Sequence, residues 1–255
     1  MKFNVSAKEL QQAIESIQVR GKNLTSKGFS SSTMGDYFYM VLEGNNLSIV
    51  NASPIFLAKI DITVEGEENG ETVASATTVV PYLKSFSDNI TLSVSDFISI
   101  TQGTRKASLP RVVNHPSMDA LNALMERTKG INWSAEPATL PSFGKSPFEG
   151  TFSITSNNFS SCMKNCELVR SGVYKLDFNK ETVCVSSQQT TQNSYEETIT
   201  PNHVSGEAAT LEYTGALHNF FLKNQLLNFY VKDEFPLLIV APDRLIVKAP
   251  QSNGD

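Results

Sequence analysis

Phe3-Asn4-Val5-Ser6, followed by an amphipathic stretch, returns 149 residues later as Phe152-Ser153-Ile154-Thr155, followed by another. Each copy runs on through strand-like segments into a second, shorter amphipathic stretch, 77–87 in the first and 214–224 in the second. Each copy then closes on a β-hairpin pattern. A chain written twice points to a scaffold built by repetition rather than to a single catalytic pocket.

The halves share a periodicity as well as a motif. After Ser6, residues Leu10, Ala13, Ile14 and Ile17 fall on one helical face, and Ser6 with Glu9 reads as a capping box. After Thr155, the face is Phe159, Cys162, Met163 and Cys166. In the shorter stretches, Val79, Val80, Leu83 and Phe86 oppose Tyr82, Lys84 and Ser85, with Pro81 expected in the first turn. Leu217, Phe220 and Phe221 oppose His218, Asn219, Lys223 and Asn224. The rest is mostly strand. Two matching meanders are expected, over 90–109 in the first half and 226–248 in the second. The reading is α+β, with similar domains over 1–110 and 150–255. A Pro-, Ser- and Gly-rich connector over 111–149 holds one helical pattern, 117–129.

Composition narrows the function classes. The 255 residues are enough for two domains, and 40% hydrophobic content supplies both cores. A net charge of −5, from 21 basic and 26 acidic residues, argues against a generally basic nucleic-acid-coating protein. It leaves room for positive charge gathered on one surface. The strand-like N-terminus does not read as a signal peptide, and no apolar run is long enough to span a bilayer. Three cysteines, an odd number, fit a reducing compartment. The expectation is a non-secreted protein with no membrane partner.

Chemistry-bearing motifs are sparse. Cys162 and Cys166 stand four apart on an apolar helix face, where cysteines usually pack as core. His115, His203 and His218 lack zinc spacing, so no metal and no cofactor are expected. Gly103-Thr104-Arg105-Lys106 lacks the phosphate-loop pattern, and Asp233-Glu234 reads as a solvated turn. No local motif suggests a catalytic constellation, and an enzyme is not expected.

The repeat and the ends of the chain carry a resemblance. Met1-Lys2-Phe3-Asn4-Val5 with Leu10 resembles the opening of the DNA sliding clamps in their two-domain form, including proliferating cell nuclear antigen and archaeal and phage clamps. Asp233-Glu234-Phe235-Pro236-Leu237-Leu238-Ile239 and Leu245-Ile246-Val247-Lys248-Ala249-Pro250 resemble their closing strands. The long connector departs from the family. The resemblance implies the DNA-clamp fold, with two helices per domain lining a ring and sheets outside. It implies a head-to-tail homotrimer around double-stranded DNA, acting as a DNA polymerase processivity factor and loaded by a clamp loader ATPase. The location implied is cytoplasmic or nucleoid-associated, or the host cytoplasm for a viral chain.

Residue roles follow from that resemblance. Lys8, Gln11, Gln12, Lys84, Lys164, Asn165, His218, Lys223 and Asn224 would face DNA, with Arg20, Lys22 and Lys27 just beyond the first helix. Such contacts go to phosphates and would be salt-sensitive and blind to sequence. Partner peptides of polymerases and other clamp-binding proteins would dock among Val50, Ile55, Ile131, Trp133, Pro236, Val247, Ala249 and Pro250. The subunit joint is expected between the edge strand at 105–109 and the region 169–176. Two rival readings stand beside this one: a clamp-fold accessory factor holding DNA as a monomer or dimer, and a β-rich structural assembly protein without DNA affinity.

Overall fold

The structure is a computed structural model, described here for residues 1–18, 36–53, 55–131, 140–215 and 217–251. The chain folds as two compact units: among the described residues the first comprises 1–18, 36–53 and 57–121, and the second comprises 55–56 and 122–251.

In chain order the first unit holds β1 (Lys2–Ser6), α1 (Ala7–Ile17), β2 (Tyr37–Glu43), β3 (Asn46–Ser53), β4 (Phe56–Thr63), β5 (Glu65–Glu68), β6 (Gly70–Ser75), α2 (Ala76–Leu83), β7 (Asn89–Val94), β8 (Phe97–Gln102) and β9 (Arg105–Pro110). Its strands neighbour one another in the orders β5-β1-β7-β8-β9 and β4-β3-β2-β6. Phe3, at the centre of β1, is opposite Leu92 and fully buried. The Ser6 hydroxyl caps α1 by accepting from the Glu9 N–H, and the apolar face sinks Leu10, Ala13, Ile14 and Ile17 into the core. Each large side chain buried there contributes about 1.5–3 kcal/mol.

Helix α2 starts one residue earlier than its pattern suggests, because Ser75 caps it and Asp36 accepts from the Thr77 N–H and hydroxyl. Pro81 therefore lies well inside the helix rather than in its first turn. It cannot donate to the preceding turn, and the helix stops two residues later, at Leu83. Helix α3 (Met118–Thr128) forms within the 117–129 pattern, but only Leu121 of its apolar face is buried.

The second unit repeats the plan. It contains β10 (Ser142–Phe143), β11 (Ser146–Pro147), β12 (Gly150–Thr155), α4 (Ser156–Leu168), β13 (Val173–Phe178), β14 (Val183–Thr190), β15 (Asn193–Ile199), β16 (His203–Gly206), β17 (Ala209–Thr214), a 3₁₀ turn (Leu217–Phe220), β18 (Leu226–Val231), β19 (Leu237–Ala241) and β20 (Arg244–Lys248). The orders are β16-β12-β18-β19-β20 and β15-β14-β13-β17. Strand β12 lies between β16 and β18 as β1 lies between β5 and β7. Phe152, the counterpart of Phe3, stacks on Phe229 at 4.7 Å, and Phe159 of α4 meets the same ring edge-on. Gly150 and Gly206 are paired here, and a Cβ on Gly150 would sit 2.2 Å from the Glu207 carbonyl oxygen. Only glycine permits that approach.

Two expectations change. Within the stretch expected to be the second short helix, Leu217–Phe220 form a 3₁₀ turn and no α-helix forms among the described residues. Gly215 and Asn224, both with positive φ, flank the segment at either end. Strand β13, expected near one side of a subunit joint, is paired on both sides, and the free edge next to β14 belongs to β15. Strand β9 is an edge, as expected.

Candidate nucleic-acid interface

In the first unit α1 packs on α2 and turns Lys8, Gln12 and Glu15 to solvent, with Gln11 half-buried. Lys8 makes no ion pair among the described residues. Lys84, which caps α2, places its ammonium 2.9 Å from Glu15, and Gln11 donates to the same carboxylate at 3.1 Å. The hydrogen bond from Lys84 holds the Glu15 carboxyl below the usual range. Lys84 is thus exposed but already partnered.

In the second unit Lys164 of α4 is exposed, and Lys223 stands just past the 3₁₀ turn, also exposed. Neither forms an ion pair among the described residues. Asn165 is committed to structure: its amide donates to the Tyr195 hydroxyl at 3.0 Å, which donates to Glu197 at 2.6 Å. Asn224 is exposed but tied through its side-chain oxygen and backbone N–H to Asn157.

His218 is a correction. It is 4% exposed, because a three-residue period stacks it above buried Phe221 rather than on an outer face. Burial, with Lys164 nearby, pulls its imidazole down to about 4. Arg20, Lys22, Lys27 and Trp133 lie outside the described residues.

The 3₁₀ turn is held from below. Arg244, 5% exposed, donates to the Phe220 carbonyl at 2.7 Å and to both carboxylate oxygens of Asp243. Burial alone would raise the Asp243 carboxyl, but Arg244 and Gln225 outweigh it and leave it lowered. Gln225 joins the network by donating to Asp243 and accepting from the Leu222 N–H.

The residues expected at a peptide pocket separate by burial. Val50 is fully buried in β3, and Ile131 and Val247 are buried as ordinary packing in the second unit. Ile55, Pro236, Ala249 and Pro250 remain half-exposed. The Ala249 N–H donates to the Ile55 carbonyl at 2.9 Å, so that pair of expected residues does meet. Pro236 lines a groove of about 550 Å³ with Phe235, Phe143, Gly144, Lys145, Ser146 and Arg127. The last six were not singled out from the sequence. The signal available was Phe143-Gly144-Lys145, an aromatic and a cation in an otherwise polar connector.

The sequence matches no family model and no curated protein. Solved structures match along its whole length. The β subunit of DNA polymerase III from Thermotoga maritima aligns with all of this chain at a TM-score of 0.73 and 14% identity. PCNA of A. fulgidus, bound to the C-terminal region of FEN-1, aligns at 0.70 and 11% identity. PCNA of Thermococcus kodakaraensis aligns at 0.66 and 12%. The chain has the DNA sliding-clamp fold.

It spans 66% of the Thermotoga subunit but 99% of each PCNA chain. Among the described residues no helix is long and apolar enough to cross a membrane. Cys162 and Cys166 point into the core of the second unit, both essentially unexposed.

Proposed function

We propose that this chain is a DNA polymerase processivity factor. It works as a homotrimeric ring that encircles double-stranded DNA, slides without sequence preference and tethers polymerase and other replication proteins. The observation that carries the reading is the clamp fold repeated twice in a chain of PCNA length, with exposed lysines on corresponding segments: Lys8 and Lys84, then Lys164 and Lys223. Lysines on helix faces contact phosphates as point charges and read no bases. Each phosphate neutralised steepens the salt dependence by roughly 0.9 in log–log slope.

Ring closure has support in the edges. Strand β9 exposes Arg105 and Lys106, and β15 exposes Glu196. Two open edges of opposite charge suit head-to-tail pairing between copies. Loading by an ATP-driven clamp loader, and a cytoplasmic or nucleoid-associated location, belong to the same proposal.

The test is solution mass by light scattering across a dilution series. A stable species of three 28.0 kDa chains is expected, and Arg105→Glu with Lys106→Glu should shift it toward monomer. A monomer at every concentration would sink the stable ring and favour an accessory factor that holds DNA without encircling it.

A further inference from the structure

The connector leaves the first unit through a short chain of contacts. The Val112 N–H donates to the Val73 carbonyl of β6 at 3.1 Å. Three residues on, the His115 ring lies on Tyr37 of β2, with centroids 4.9 Å apart and planes tilted by 53°. His115 then supplies two acceptors at the start of α3. Its Nδ1 accepts from the Ser117 N–H at 3.2 Å, and its carbonyl accepts from the Met118 N–H at 3.1 Å. The Leu121 N–H donates to the Ser117 carbonyl at 2.9 Å, and these two are the buried residues of the turn. The turn therefore hangs on few contacts, and one of them is a ring nitrogen that can take a proton.

An accepting Nδ1 must be unprotonated. The imidazolium carries N–H on both nitrogens, so protonation sets two N–H groups head to head and places a positive charge at a helix start, where the macrodipole disfavours it. No ion pair to His115 forms among the described residues to offset that. Asp36, the residue before Tyr37, accepts from Ser75 and Thr77 at the start of α2. Glu71 of β6 takes the Tyr39 hydroxyl, and Arg111 donates to the Ser95 carbonyl at 2.6 Å. Asp119 is exposed in the first turn of α3. Burial lowers the His115 imidazole from its ordinary 6.5.

We propose that His115 is an acid-sensitive latch on the connector: its neutral ring holds the first turn of α3 beside β2, and it releases that turn when protonated. The folded segment binds the proton less readily than the unfolded one. The latch is therefore closed above the ordinary histidine range and opens as pH falls through and below it. The device works whether or not the chain encircles DNA.

The test is hydrogen exchange of the full chain at about pH 7.5 and about pH 5, corrected for intrinsic rates. Amides 117–121 should open roughly fivefold more often in acid, the effect of one lost hydrogen bond, while β7 and β8 keep their protection. In an NMR titration the Ser117 amide shift should follow the His115 ring, with a midpoint below that of free imidazole. His115→Asn retains an acceptor that does not titrate and should hold the turn at both pH values. His115→Phe keeps a ring for Tyr37 but removes the acceptor, and should leave the turn open at both. His203→Asn, on β16, should behave as the parent protein. Acid opening that survives in His115→Asn assigns the effect to another group and overturns the proposal. A Ser117 amide that ignores the His115 titration, or a His115 midpoint at or above the ordinary value, overturns it in the parent protein, whether or not the variants fold.

Discussion

Lys248 ends β20 with 3% of its surface exposed and no ion pair among the described residues. Burial pulls its ammonium down to about 8 from an ordinary 10.5. The folded pKa lies below the unfolded one, so the unfolded chain holds the extra proton and stability rises with pH between about 8 and 10.5. Below that window the native state carries the whole cost of a buried charge. Lys248→Met should therefore stabilise the protein at neutral pH by about 2–3 kcal/mol, and the gain should vanish as pH climbs past about 10.5. Urea unfolding at both pH values reads it. A gain that does not change with pH would mean that packing, not charge, is responsible. Single residues of this kind were hidden in the sequence. Lys248 sits in a strand whose other members are apolar or, like Arg244, buried by a partner, and alternation alone cannot say which basic residue keeps water. His218 was hidden for a different reason: its exposure depended on a period of 3.6, and the segment winds with a period of 3.

At the level of elements, the 3₁₀ turn replaces in the second unit what α2 supplies in the first, and it is held by side chains rather than by helical hydrogen bonds. Arg244, Asp243 and Gln225 together satisfy the Phe220 carbonyl and the Leu222 N–H. Arg244→Leu removes the buried cation and leaves Asp243 and that carbonyl uncompensated, which should cost about 3–5 kcal/mol. Hydrogen exchange should quicken across 217–222 first. Lys223→Leu, at an exposed position of the same segment, should leave stability within about 0.5 kcal/mol. Unchanged exchange in the Arg244 variant would show that the turn holds itself. The long elements were legible because period and cap agree: Ser6 before Leu10, Ala13, Ile14 and Ile17, and Thr155 before Phe159, Cys162, Met163 and Cys166. Helix α2 was legible in kind but shifted, because Asp36, forty residues upstream of the helix start, helps to fix where it begins.

At the level of the whole molecule, the repeat was plain because it is written in the local alphabet of strand, cap and helix. Neighbourhood was not. That β15 rather than β13 offers an edge follows from strand order, and that Arg127, Phe143 and Phe235 meet follows from the fold of three separate stretches. Local periodicity carries neither. One small ion pair has a consequence for motion. A ring that travels on DNA must keep exchanging one phosphate for the next, and its speed is set by the depth of the wells between which it hops. In the proposed clamp, Glu15, paired with Lys84 at 2.9 Å, would offer it a carboxylate to return to whenever a phosphate let go. That competitor would make the wells shallower and the track smoother. In the proposed clamp, Glu15→Gln should grip DNA more tightly and diffuse along it more slowly, as single-molecule tracking would record, and equal diffusion in the two proteins would show that Lys84 never reaches the backbone. Glu15, an acidic residue on a face proposed to meet DNA, would then act as a lubricant.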